Sequence, residues 1–258
     1  MALIRITTML CATAFAAATA HAEIISVESR DVAGLAAAIE RANHGPGLDL
    51  IELAPGGLYP IAQPADRERS LALPVVRSRI RIIGNGAEIR GYAETPMQLL
   101  HVAESGDLRI DHLTLAEGTR GAIENRGRLE LSHVAIVDNS APGGTAIVAN
   151  FGTLIARATE ISFNQLAGTQ RDAGVVLNYG TLRLFDSGLV QNSVSRRFGT
   201  LVSASAVLNL GEARLVRVRV LGNAAEDGFE RGGGALVALG NGRFDNDALE
   251  LAGNQPAD

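Results

Sequence analysis

His112 and His133 lie 21 residues apart, each eight places after a marker residue, Glu104 for the first and Asn125 for the second. In a chain that coils at that interval the two are neighbours on adjacent coils. Two stacked imidazoles can bind a metal or share a proton. The same position continues as Ala158, Asp186 and Arg217. It falls between two strands, where a left-handed backbone enriches His, Asn and Asp. No third ligand is evident, so structural turn residues account for the pair better than a metal does. Asp245 and Asp247, within Asn241-Gly242-Arg243-Phe244-Asp245-Asn246-Asp247, suggest calcium. Their spacing matches neither an EF-hand loop nor the Gly-Gly-x-Gly-x-Asp nonapeptide.

The elements that position these residues announce themselves through asparagine. Asn125 and Asn139, Asn150 and Asn164, Asn178 and Asn192, and Asn209 and Asn223 are pairs fourteen residues apart, and Gly240 stands in for Asn in a fifth pair with Asn254. A Gly follows the first member two places on, at Gly127, Gly152, Gly180, Gly211 and Gly242. The interval between units stretches instead, from 25 to 28 to 31 residues. A constant interval joined to an elastic one is the signature of stacked coils, each with one loop free to project. Both Asn rows read as structural ladders, each amide bonding the next coil and satisfying polar groups that aliphatic residues would orphan.

Within a unit the pattern is that of strands. A short apolar run such as Ala146-Ile147-Val148-Ala149 meets Asn-x-Gly, a turn in which Gly accepts positive φ. Alternation resumes beyond it, with Leu129, Leu154 and Leu182, then Leu131, Ala156, Leu184 and Leu215 two places on. Residues two apart share a strand face, so these line an interior. A further apolar column holds Ile136, Ile161, Leu189, Val220 and Leu251. Three short strands per coil and weaker repeats upstream predict an all-β parallel β-helix of about seven coils. Asp31 as a helix N-cap, Val32, Leu35, Ile39 and Ala42 at helical spacing, and Gly45-Pro46 as a stop predict an N-terminal capping α-helix.

Residues 1–22 read as a secretory signal peptide: Arg5, an Ala-rich apolar run too short to span a bilayer, then Ala20-His21-Ala22 at the cleavage site. Residues 23–258 form one domain, with a cap over 23–62 and coils over 63–258. Cys11 is the only cysteine, so the mature chain has no disulfide to rely on. All 23 basic residues are Arg; losing Arg5 leaves 22 against 28 acidic residues, a charge of −6. That balance argues against nucleic acid and anionic membrane as partners. No second long apolar segment suggests a transmembrane span, and the absence of Trp weakens a sugar-stacking platform.

These residues resemble bacterial right-handed parallel β-helix repeat proteins of the pectate-lyase-like superfold. Leu35-Ala36-Ala37-Ala38-Ile39-Glu40-Arg41-Ala42-Asn43, Asp49-Leu50-Ile51-Glu52-Leu53 and Gly57-Leu58-Tyr59 are similar to the opening of CSLREA-type proteins, although Ala33, Gly34, Ala36 and Ala37 replace the motif's own residues. Gly233-Gly234-Ala235-Leu236, Ile136-Val137-Asp138-Asn139 and Leu189-Val190-Gln191-Asn192 resemble the repeats of polymorphic outer-membrane proteins. Such a resemblance specifies shape, and fold does not imply function. A regular scaffold without a convergent catalytic set, behind a signal peptide, leads instead to the expectation of an exported, non-enzymatic module at the periplasm, cell surface or beyond, presenting variable loops to a polysaccharide or a surface protein without a cofactor. The alternative that the resemblance carries is a calcium-dependent polyuronide lyase, in which a loop Arg (Arg171, Arg196 or Arg197) abstracts the proton beside a uronate carboxylate. A cleft with three carboxylates beside an Arg is the expected mark of the lyase.

Overall fold

The structure, a computed structural model, describes residues 23–256 apart from 93, 145, 169–171, 197–201, 226–230 and 233. It is a parallel β-solenoid of about seven coils. The longest sheet runs through Ile24–Val27, Leu48–Leu53, Arg79–Gly91, Asp107–Ala116, Arg128–Val137, Thr153–Arg157, Thr181–Phe185, Glu212–Val216 and Arg243–Asp247, each strand bonded to the next. A second sheet stacks Leu100–Val102, Ile123–Asn125, Ala146–Asn150, Asp172–Asn178 and Val202–Asn209. A third stacks Ser140–Pro142, Gln165–Gly168, Ser193–Arg196, Ala224–Ala225 and Gln255–Pro256. This third sheet is a fourth strand segment per coil where three were expected. The first four of its members each turn a single apolar residue inward (Ala141, Leu166, Val194 or Ala225), too little for alternation to reveal.

The aliphatic columns stand in register. Leu108, Leu129, Leu154 and Leu182 align coil to coil and are buried, as are Ile110, Leu131, Ala156, Leu184 and Leu215. Each fully buried side chain of this size contributes about 1.5–3 kcal/mol. The column Ile136, Ile161, Leu189 and Val220 is buried too, but Leu251 on the last described coil is 55% exposed. At the other end the helix Val32–His44 covers the first coil with Leu35, Ala38, Ile39 and Ala42. Asp31 caps it by accepting from the Gly34 N–H at 2.7 Å, and Gly45 ends it.

The glycines after the first Asn row have a different cause from the one expected. None of Gly127, Gly152, Gly180 or Gly211 adopts positive φ. A Cβ on Gly152 would stand 2.1 Å from the Gly127 carbonyl oxygen, and one on Gly180 2.1 Å from that of Gly152. Successive turns touch backbone to backbone there, and no side chain fits between them. The phase of the outermost units also differs. Asn125 aligns with Val102 rather than Glu104, and Asn209 with Ala238 rather than Gly240, because the turn is two residues longer in those coils.

Candidate functional site

Both asparagine rows are hydrogen-bonded ladders, buried at every Asn but the half-buried Asn254. In the first, Nδ2 of Asn125 donates to Oδ1 of Asn150 at 2.7 Å, Asn150 to Asn178 at 2.6 Å, and Asn178 to Asn209 at 2.7 Å. In the second, Asn139 donates to Asn164 at 3.0 Å, Asn164 to Asn192 at 2.9 Å, Asn192 to Asn223 at 2.8 Å, and Asn223 to Asn254 at 3.0 Å. Their ends differ. The second ladder begins with Oδ1 of Asn139 accepting from the Gly118 N–H at 2.8 Å, whereas Oδ1 of Asn125 is buried with no donor among the described residues. Amides committed to neighbours on both sides leave nothing for a ligand.

The outer turn column is where chemistry collects. Positions 112, 133, 158, 186, 217 and 248 all have positive φ, between 47° and 53°. A single left-handed residue bends the chain between two strand segments of the long sheet at each. The His112 and His133 rings stack with centroids 4.4 Å apart and planes 13° apart. A third group, which the spacing of the histidines did not reveal, joins them: Asp111, one residue before the turn. Its Oδ1 lies 3.0 Å from Nδ1 of His112 and 3.6 Å from Nδ1 of His133. Ser132 Oγ is 3.1 Å from the latter nitrogen. Burial pushes the Asp111 carboxyl up, but hydrogen bonds from His112, Ser132 and His133 outweigh that and hold it below its ordinary value. The readable signal was the pair Asp111-His112 facing Ser132-His133 across one coil.

Two coils along the same column, Arg217 grips Asp186 through two bonds of 2.5 and 2.7 Å, and that bonding holds the Asp186 carboxyl below its ordinary value. Asp245 and Asp247 sit on the exposed edge strand Arg243–Asp247. Asp245 pairs with Arg214 at 3.5 Å, and neither Asp joins a ligand cluster among the described residues. Arg171 and Arg197 lie outside the described residues, and only the backbone of Arg196 is described, in the strand Ser193–Arg196. The signal segment 1–22 also lies outside them.

A cleft of about 890 Å³ opens against the second sheet. Glu68, Arg69, Gln98, His101, Thr119, Arg120, Glu124 and Ser140 supply its polar lining. None of these belongs to the repeat pattern's ladders, and the loops that carry the first three have no periodicity, so repeat counting could not find them. Glu124 already accepts from Arg126 Nε at 2.6 Å, with His101 Nδ1 3.9 Å away. Burial pushes the His101 imidazole below its ordinary value against the pull of Glu124, and Arg126, Arg69 and Arg77 add to the depression. Arg69 is tied only loosely, 4.0 Å from Asp66, and Arg120 has no ion-pair partner among the described residues. Glu68 has no ion-pair partner among the described residues either, so the cleft sets two weakly held guanidinium groups against one free carboxylate.

No protein-family model matches the chain, and no curated protein matches it. The class is defined by architecture alone: a parallel β-helix repeat protein. No helix among the described residues is long and apolar enough to cross a membrane, which says nothing about β-barrels.

Proposed function

We propose that this chain is a non-enzymatic binding module of the cell envelope, exported by residues 1–22, that takes a segment of acidic glycan in the cleft beside the second sheet. The observation that supports this reading is the pair Arg69 and Arg120, two exposed guanidinium groups without a firm partner that line the cleft. Guanidinium matches a carboxylate in a planar fork, while Gln98, Thr119 and Ser140 offer amide and hydroxyl partners for sugar hydroxyls. The cleft holds two carboxylates, Glu68 and Glu124, one fewer than the lyase alternative with calcium calls for. A rigid solenoid wall suits recognition, since little ordering is needed on binding.

The test is retention of the purified chain on immobilised polygalacturonate and alginate, with absorbance of unsaturated ends followed in parallel. Retention that disappears in an Arg69→Ala, Arg120→Ala variant, without new absorbance, is the expected result. Calcium-dependent absorbance overturns the non-enzymatic reading; equal retention of wild type and variant moves the site elsewhere. Cleavage after Ala22 on export is checked by the N-terminal sequence of the protein recovered from the periplasm and medium.

A further inference from the structure

We propose that Asp111, His112 and His133 form a site for one first-row divalent transition cation, of which Zn²⁺ is the natural probe. The proposal rests on convergence. Both imidazole Nδ1 atoms lie near one carboxylate oxygen, at 3.0 and 3.6 Å, and one ligand atom from each residue lies within 4.8 Å of the others. A tetrahedral ion with bonds of about 2.0–2.1 Å wants its ligand atoms about 3.3 Å apart, so on binding the two rings must splay out of their 13° stack to turn their in-plane lone pairs onto one ion. The backbone does the placing. Asp111 pairs with Ser132, and Leu113 with Val134, so the two left-handed turns between them are held one coil apart by strand bonds on both sides. Half-exposed rings leave room for water to complete the coordination.

The donor set also chooses the ion. Two imidazole nitrogens with one carboxylate favour Zn²⁺, Ni²⁺, Co²⁺ or Cu²⁺ over Ca²⁺ and Mg²⁺, which prefer all-oxygen shells. Elsewhere in the same column the chemistry is closed: Asp186 is spent on Arg217, and Ala158 and Ala248 offer no ligand. Among the described residues His101 has one ion-pair partner, Glu124, and joins no second imidazole in a ligand cluster.

The experiment is calorimetric titration of Zn²⁺ into the purified chain, carrying no polyhistidine tag, with Co²⁺ absorbance as a second readout. One equivalent is expected. His112→Asn, His133→Asn and Asp111→Asn are each expected to weaken uptake by about 10- to 100-fold or more. His101→Asn is expected to change nothing. Asn tolerates the left-handed turn, so the histidine variants keep the fold, which their thermal melts verify. No saturable uptake by wild type overturns the proposal. So does uptake unchanged in both turn-histidine variants, or Ca²⁺ displacing Zn²⁺ at equal concentration.

Discussion

The interior ladder of Asn125, Asn150, Asn178 and Asn209 and the exterior column of His112, His133, Ala158, Asp186 and Arg217 climb the same coils by the same step. Inside, one residue type repeats, because a buried amide's donor and acceptor must both find partners and the next coil's amide supplies them. Outside, only the backbone requirement repeats: a residue that accepts a left-handed φ. The side chain is free to vary, and it does so in steps that create pairs. Uniformity thus marks what the fold needs, and variation at a fixed backbone position marks where chemistry can be added without disturbing it.

The sharpest way to break the interior half of this comparison is at its tightest contact. Gly180→Ala sets a Cβ against the Gly152 carbonyl oxygen, backbone on both sides, with no flexible side chain to yield. A loss of about 3 kcal/mol or more is expected, read as the shift of the urea midpoint. Next comes the ladder itself. Asn150→Ala strips an acceptor from Asn125 Nδ2 and a donor from Asn178 Oδ1, and should cost about 2–4 kcal/mol. Asn125→Ala should cost about half as much, since its own Oδ1 already lacks a donor. Equal costs in the same urea series would show that the ladder's ends are not distinguished by their capping.

The exterior half predicts gains. Ala158 is an exposed residue at φ 47°, a conformation that costs an L-residue about 1–2 kcal/mol. Ala158→Asn should recover up to about 1 kcal/mol, seen as a higher thermal midpoint. A lower midpoint would mean that the turn column selects for something besides backbone tolerance.

The comparison also explains what could be read ahead of the structure. The aliphatic columns, the helix with its Asp31 cap, and the Asn rows repeat with fixed intervals, so Leu154 over Leu129 was legible. Two kinds of feature were not. The longer turns at Val102 and Ala238 shift the phase of the first and last Asn positions, because counting from a downstream Gly assumes a constant turn length. Asp111 escaped because its column, which continues as Ser132, Arg157, Phe185 and Val216, repeats no residue type and so drew no attention in a search for repeats. The cleft residues Arg69 and Gln98 come from segments outside the repeat altogether.

Apart from both stacks, on the strand Leu100–Val102, His101 is half-buried beside Glu124. Its folded value is depressed, so the unfolded chain binds the proton more readily. Stability is therefore full above the unfolded value near 6.5, falls as pH drops through it, and levels off below the folded value. His101→Gln should flatten that portion of the stability–pH curve. A slope unchanged by the substitution would assign it to another group.

The smallest expected effect carries the comparison furthest. The side chains of Asp186 and Arg217 are exposed and, among the described residues, hydrogen-bonded only to each other, and water competes for both, so Asp186→Asn should leave the thermal midpoint where it is. His133→Asn, at the same backbone position two coils away, should leave it equally unmoved in metal-free buffer. The two variants part only when Zn²⁺ is added. An ion that binds the folded state alone raises the midpoint by mass action, so wild type and Asp186→Asn should shift together while His133→Asn stays behind. If all three shift alike, the exterior column carries no site and its variety is only the freedom of a solvated turn. If they separate, one step of a repeated backbone has acquired a chemistry that its neighbours, with the same φ and the same strands on either side, do not have.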